Sequence, residues 1–251
     1  MECSVVLPAY NEANIIALTL KRVKSALDAL GYDYEIIVAD NGSTDGTTSI
    51  VSKLVDNERI RHLIIEKKGR GRALNIAIKH ARSNIVLYMD VDLATDLKHI
   101  PELVGCIERG YDIATGSRLL EGSVVKRSFM RDIASRCYNM LCRTLFGINI
   151  HDMQCGFKAF KKDSILKILD KVDDTEWFWD TEVLIRASRE GYRIAEIPIV
   201  WKEGSSSKVK ILRDSIKMGS KLFMLRIKLI AQSLRKGLSG PTNTLETSLT
   251  S

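Results

Sequence analysis

Asp90 and Asp92 stand one residue apart at the end of the apolar run Ile85–Met89, which reads as a buried strand. An unpaired carboxylate inside a sheet costs several kcal/mol, so the pair belongs at the strand's carboxyl edge, facing solvent or a cation. In a parallel α/β sheet that edge is where ligands bind. Hard oxygen ligands suit Mg²⁺ or Mn²⁺, and an ion held by one or two carboxylates keeps positions open for substrate phosphates. The chemistry implied is binding of a metal–diphosphate complex. Asp-x-Asp is also common in turns, so this reading needs support from elsewhere in the chain.

Support comes from the second strand, 34–40, which ends in Asp40–Asn41–Gly42–Ser43–Thr44–Asp45–Gly46. Asn41–Gly42 turns the chain, and Ser43 or Thr44 is placed to cap the next helix. Asp40 then leaves the sheet on the same edge as Asp92. The basic loop Lys67–Arg72, with Gly69 and Gly71, reads equally well as a phosphate contact or a solvated turn. Arg118 ends a strand in Thr115–Gly116–Ser117–Arg118. Lys126, Arg127, Arg131 and Arg136 follow on a helical segment running to Phe146 and suit a second phosphate or a solvated face. Trp177–Phe178–Trp179–Asp180–Thr181–Glu182 opens a helix to about Arg189. It suits either a sugar-binding floor or an aromatic core with acids in the first helical turn.

The elements that must position these groups alternate. Strands are expected at 3–8, 34–40, 61–66, 85–90 and 112–117, with helices over 14–30, 44–55, 72–82 and 97–108, so the sheet is mostly parallel. Residues 152–160 read as a strand or hairpin and Arg193–Trp201 as a last strand. The turn after the first strand, Pro8–Glu12, has no Gly-x-Gly-x-x-Gly, which argues against a dinucleotide-binding enzyme.

With 251 residues, 45% of them hydrophobic, the chain can bury a full core. A net charge of +7 favours an anionic partner. Five cysteines without a Cys-x-x-Cys pair argue for reduced thiols and against a disulfide framework or zinc knuckle. With the first strand starting at Cys3, a cytoplasmic protein without a signal peptide is expected. No apolar run approaches the roughly 20 residues that span a bilayer.

Three regions follow: a catalytic domain over 1–207, a basic amphipathic helix over 208–236 and a disordered tail over 237–251. In the helix Leu212, Ile216, Phe223, Ile227, Ile230 and Leu234 form the main apolar line, widened by Ile211, Met218, Leu222, Leu225 and Leu229. Arg213, Lys217, Lys221, Lys228 and Arg235 form a basic stripe. Such a helix can lie in a membrane interface or pack on the domain.

Several stretches agree jointly. Val5–Glu12 (VVLPAYNE), Val38–Asp45 (VADNGSTD), Met89–Ala94 (MDVDLA), Thr115–Arg118 (TGSR), Asp152–Lys158 (DMQCGFK) and Glu203–Lys208 (EGSSSK) resemble, in order, the family 2 glycosyltransferases of the GT-A fold. Within them the chain is most similar to the polyprenyl (dolichyl) phosphate sugar synthases. The resemblance implies a nucleoside pocket of Pro8, Tyr10, Glu12, Val38 and Asp40, and a sugar-nucleotide and metal motif of Asp90, Val91 and Asp92. Asp92 would be the direct ligand of Mg²⁺ or Mn²⁺. Ala94 stands where many relatives carry a further polar ligand, for which Thr95 is a candidate substitute. Arg118 and Arg131 match positions that hold the lipid phosphate, and Lys202 and Lys208 match a loop that meets the diphosphate.

The Gln-Cys-Gly-Phe-Lys segment, Trp177–Glu182 and Ala94 are more similar to the glucose than to the mannose branch, so UDP-glucose is the expected donor and GDP-mannose the alternative. The implied partners are a nucleotide-diphospho-sugar, a polyprenyl or dolichyl phosphate and the cytoplasmic face of a membrane. A separate integral-membrane anchor stays open, and nucleic acid is not expected. The implied reaction needs no general base, because a lipid phosphate is already ionised. A saccharide or protein hydroxyl as acceptor would need one, with Asp180 or Glu182 as candidates.

Overall fold

The computed structural model describes residues 1–56, 58–203 and 211–238, with side chains over 217–235 in the last helix. The chain alternates strand and helix: β1 (Cys3–Ala9), α1 (Ile16–Ala29), β2 (Tyr34–Asp40), α2 (Thr47–Ser52), β3 (Ile60–Ile64), α3 (Arg70–His80), β4 (Ile85–Met89), α4 (Ile100–Glu108) and β5 (Ile113–Ser117). Then come β6 (Val124–Lys126), α5 (Phe129–Phe146), β7 (Phe157–Lys161), α6 (Lys162–Leu169), α7 (Trp179–Arg189), β8 (Ile194–Pro198), β9 (Val200–Lys202) and α8 (Ile211–Leu238).

Seven strands make one sheet in the order β3-β2-β1-β4-β7-β5-β8. Only β7 runs against its neighbours; the other pairings are parallel. Alternate residues of the central strands feed two cores. Val5, Leu7, Ile36, Val38, Leu87 and Met89 pack with α1 and α4. Val6, Ile37, Ala39, Val86 and Tyr88 pack with α3 and α5 to α8. Both faces are covered, which is why these strands read as continuous apolar runs.

Several boundaries differ from expectation. Helix α3 begins at Arg70 rather than Arg72, because Gly69 takes a positive φ that ends the loop there and its N–H is held by Asn41 Oδ1. Neither Ser43 nor Thr44 caps α2; Gly46 is the N-cap, and the Thr47 N–H is taken by Asp45. The expected strand 193–201 breaks at Pro198, which cannot donate to a ladder: β8 pairs with β5, and β9 pairs with β6 in a separate ribbon. Of 152–160 only β7 is strand, and α7 opens at Trp179 rather than Trp177.

On α8 the described residues read as widening the apolar line are the ones that pack on the domain. Met218, Leu222, Leu225 and Leu229 face the domain, while Phe223, Ile227, Ile230 and Leu234 are exposed. The basic stripe is partly engaged: Lys221 pairs with Asp174 and Lys228 with Asp173. No described helix is long and apolar enough to cross a membrane. Helix α8 runs to Leu238 and so takes in the first two residues of the tail expected over 237–251; residues 208–210 and the tail from 239 lie outside the described residues.

Candidate active site

The carboxyl ends of β1, β2, β4 and β5 deliver the expected residues to one edge. Pro8 and Ala9 sit beside Ala39 and Asp40 in register. Just beyond, Lys68 Nζ lies 3.8 Å over the Tyr10 ring, and the Glu12 N–H donates to Thr47 Oγ1 at 2.9 Å. Val38 is core. Asp40 is wholly buried and works inward: it accepts the Ser43 N–H at 3.1 Å and the Thr48 hydroxyl, with His62 Nε2 at 3.4 Å. Its carboxylate therefore shapes the loop of the expected nucleoside pocket.

After β4 the chain turns tightly, with the Leu93 N–H on Asp90 O at 3.1 Å and Leu93 at φ 48°, a conformation side chains seldom adopt. Val91 points into the core, and its carbonyl accepts Thr19 Oγ1 at 2.7 Å. That leaves Asp90 and Asp92 at the surface. Asp92 is open to solvent, yet protein crowds its inner side; this desolvation first, then the charge of Asp90, with Glu12 adding to it, lifts its pKa above the ordinary value. A cation would relieve that crowding, so the donor set fits a divalent ion held by Asp92. Among the described residues no three His, Cys, Asp or Glu side chains gather into a metal cage, so an ion here would draw its remaining ligands from substrate and water. Thr95 is buried and bridges to Trp201.

Asp90 is fixed from behind. Arg70 Nη2 donates to Asp90 Oδ1 at 2.7 Å and Arg70 Nη1 to Asp180 Oδ2 at 2.5 Å, while Lys158 Nζ reaches Asp180 Oδ1 at 2.7 Å. Burial pushes the Asp180 carboxyl up, but Lys158 and Arg70 outweigh it and hold the pKa below the usual carboxylate range. Glu182 accepts the N–H groups of Asp173 and Asp174 and pairs with Arg186. Both candidate bases are thus buried and engaged. Trp179 is wholly buried in the core, against the sugar-floor reading, because α3 packs on it at Gly71, where a Cβ would meet the indole at 2.8 Å. Trp177 is exposed beside the Arg70 guanidinium.

The remaining cations lie on the β5 side. Arg118 pairs with buried Asp152 through Nε and Nη2 and lies 5.5 Å over the Trp201 ring. Two of its five N–H donors are therefore committed to Asp152, which leaves Nη1 and the second Nη2 N–H for its expected phosphate role. Arg131 pairs with Glu203. The Lys202 N–H bonds Ala94 O at 2.8 Å and the Glu203 N–H bonds Lys126 O at 3.0 Å, so the Asp92 turn, β9 and the approach to Arg131 are joined. The Lys202 side chain is exposed, and Lys208 lies outside the described residues. Arg70, Lys158 and Asp180 are the members that motif reasoning left without this role.

Comparison with known proteins agrees with this geometry. The model of Glycosyl transferase family 2 matches residues 4–169. The chain is 43% identical over 229 residues to glycosyltransferase AglD of Haloferax volcanii, covering 88% of this chain but only 36% of that protein. It is 34% identical over 247 residues to the dolichyl-phosphate beta-glucosyltransferase of Saccharomyces cerevisiae, covering 89% of this chain and 74% of that one. In structure it is similar to glucosyl-3-phosphoglycerate synthase from Mycobacterium tuberculosis, crystallised with Mn²⁺, UDP and glucosyl-3-phosphoglycerate. The TM-score is 0.66 at 20% identity, over 89% of this chain and 79% of that chain. With its mostly parallel sheet, its Asp-x-Asp turn on the ligand edge and this match across two thirds of its length, the chain belongs to the family 2 glycosyltransferases and has their GT-A fold.

Proposed function

We propose that the chain transfers glucose from UDP-glucose to the phosphate of a dolichyl or related polyprenyl phosphate, inverting the anomeric carbon. The observation that carries this reading is the likeness along nearly the whole chain to a dolichyl-phosphate beta-glucosyltransferase. Mn²⁺ and UDP in the structural neighbour support a uridine donor and a divalent ion. A phosphate acceptor also suits a site where Asp180 and Glu182 are buried and ion-paired, since phosphate ionises with a second pKa near 6 and is a nucleophile without a base.

The chain's task is to bring two anions together, which at about 4 Å repel by roughly 4 kcal/mol at an effective dielectric of about 20. Asp92 would hold Mg²⁺ or Mn²⁺, which would supply positive charge to stabilise the departing diphosphate. Asp90 is held by Arg70 toward the same donor. Lys202 faces the diphosphate, a role the family resemblance gives to Lys208 as well, while Arg118 Nη1 and Arg131 hold the acceptor phosphate. An acceptor oxygen forms its bond to the anomeric carbon as the bond to UDP breaks, and the electron pair leaves with UDP. The exposed side of α8, with Phe129 and Met130 two and one residues before Arg131, rests on the lipid surface that presents the acceptor.

The test is incubation of purified protein with Mg²⁺ or Mn²⁺, a panel of UDP- and GDP-sugars and a short polyprenyl phosphate, read by mass of the lipid product. One added hexose from UDP-glucose is expected. Product from GDP-mannose alone would overturn the donor, and transfer only to a hydroxyl acceptor would overturn the reaction.

A further inference from the structure

Behind the Asp90–Asp92 edge lies a line of buried charges that the transfer step does not itself use. Lys158, wholly buried on β7, stands directly opposite Tyr88 of β4 and pairs with Asp180 of α7 at 2.7 Å. The Tyr88 hydroxyl donates to the same Asp180 oxygen. The other oxygen takes Arg70 Nη1, and Arg70 Nη2 ends on Asp90. Two cations and two carboxylates make a neutral set drawn from β7, α3, α7 and the turn after β4.

Stability alone gives no account of this set, since packed apolar residues of similar volume often hold a fold as well as a buried ion pair does or better. Its effect is geometric. A guanidinium is planar and rigid, so anchoring Nη1 on Asp180 fixes the direction in which Nη2 points, and with it the Asp90 carboxylate. On its other flank Asp90 is closed in by Gly156, where a Cβ would stand 1.8 Å from Asp90 Oδ2. The Asp90 N–H is also tied to the Gly156 carbonyl at 3.0 Å.

We infer that Asp180, charge-balanced by Lys158 and acting through Arg70, is a positioning residue that presets Asp90 to receive the metal–diphosphate of the donor, with Gly156 as the seat. This rests on the donor occupying the Asp90–Asp92 edge, as proposed above. Binding without preorganisation would require the carboxylate to be ordered at the expense of affinity.

The experiment is calorimetric titration of the full chain with UDP in the presence of Mn²⁺, paired with thermal unfolding and with donor and lipid KM. The variants are Asp180→Asn, Arg70→Lys and Gly156→Ala. Asp180→Asn removes a charge from a buried set and can unfold the protein. Gly156→Ala alters no charge and displaces the Asp90 carboxylate, which the added Cβ would meet at Oδ2 (1.8 Å) and Cγ (2.4 Å). Arg70→Lys keeps the cation but loses the fork. The expected result is UDP affinity lowered about tenfold or more in folded Gly156→Ala and Arg70→Lys, with donor KM raised and lipid KM unchanged. Wild-type affinity in both folded variants overturns the inference alone. Failure of the unaltered protein to bind UDP with Mn²⁺ overturns the donor site, and the inference with it.

Discussion

Arg118 clasps Asp152 through two nitrogens, Nε at 2.7 Å and Nη2 at 2.9 Å, and the carboxylate it clasps is wholly buried. The pair locks the end of β5 to the turn that leads into β7, so the loop beneath Asp90 is set by the residue expected to meet the acceptor. Burial alone would raise the Asp152 pKa; the Arg118 charge and its hydrogen bonds outweigh that and hold it at about 2.

A pH dependence follows. The folded value lies below the ordinary 3.8, so Asp152 contributes stability that is complete above that value and is lost as pH falls through about 4 to 2. The gap corresponds to about 2 kcal/mol. Urea unfolding between about pH 6 and 2 should show that loss in the unaltered protein and a shallower decline, by about that amount, in Asp152→Asn. Equal declines would place the acid sensitivity elsewhere.

Asp92 differs from Asp90 in having no cation partner among the described side chains; its Oδ1 only accepts the Ala94 N–H at 3.1 Å. Asp92→Ala should therefore remove the ligand of the metal and cut transfer by about a hundredfold or more, without lowering the unfolding temperature. Relief of the crowding that lifts the Asp92 pKa would if anything stabilise the fold. Wild-type turnover in this variant would exclude the metal role.

Arg131 stands on the first turn of α5, paired with Glu203 just after β9. Losing a charge-assisted bond to phosphate costs about 1.5 to 3 kcal/mol, so Arg131→Ala should raise the polyprenyl phosphate KM about tenfold or more. UDP affinity should stay unchanged. A loss in UDP affinity of similar size would move Arg131 to the donor side.

The ligand edge was legible because its cues are local: an apolar run, two acids one residue apart and a second strand ending in Asp40. The charged set behind it was not, because Arg70 lies 20 residues from Asp90 and 110 from Asp180, and each member alone resembles a solvated charge. A usable signal was present in Lys158, a cation between Phe157 and Ala159 in a strand covered on both faces, where charge demands a buried partner. The break at Pro198 was readable in the same way, from its missing donor. Trp179 and the facing of α8 were not legible, since periodicity locates an apolar arc but not what packs on each side of it.

That arc supports the last prediction. Scattered apolar residues are ordinary on a surface, but Phe223, Ile227, Ile230 and Leu234 recur at helical spacing along α8, each about half exposed or more. They are centred about 140° around the helix from the Met218–Leu229 line that packs on the domain, so the exposed stripe is turned away from the domain. Ion pairs of Lys221 and Lys228 with Asp174 and Asp173 hold the helix in that rotation. If the stripe meets lipid, burying one isoleucine there is worth about 1.5 to 3 kcal/mol, and Ile227→Asp should weaken sedimentation with anionic phospholipid vesicles about tenfold or more. Because Ile227 is 69% exposed, the unfolding free energy should change by no more than about 0.5 kcal/mol. Transfer to a short, water-soluble polyprenyl phosphate should stay at the unaltered rate while transfer to acceptor embedded in vesicles falls. Undiminished vesicle binding in Ile227→Asp would separate this face from the lipid.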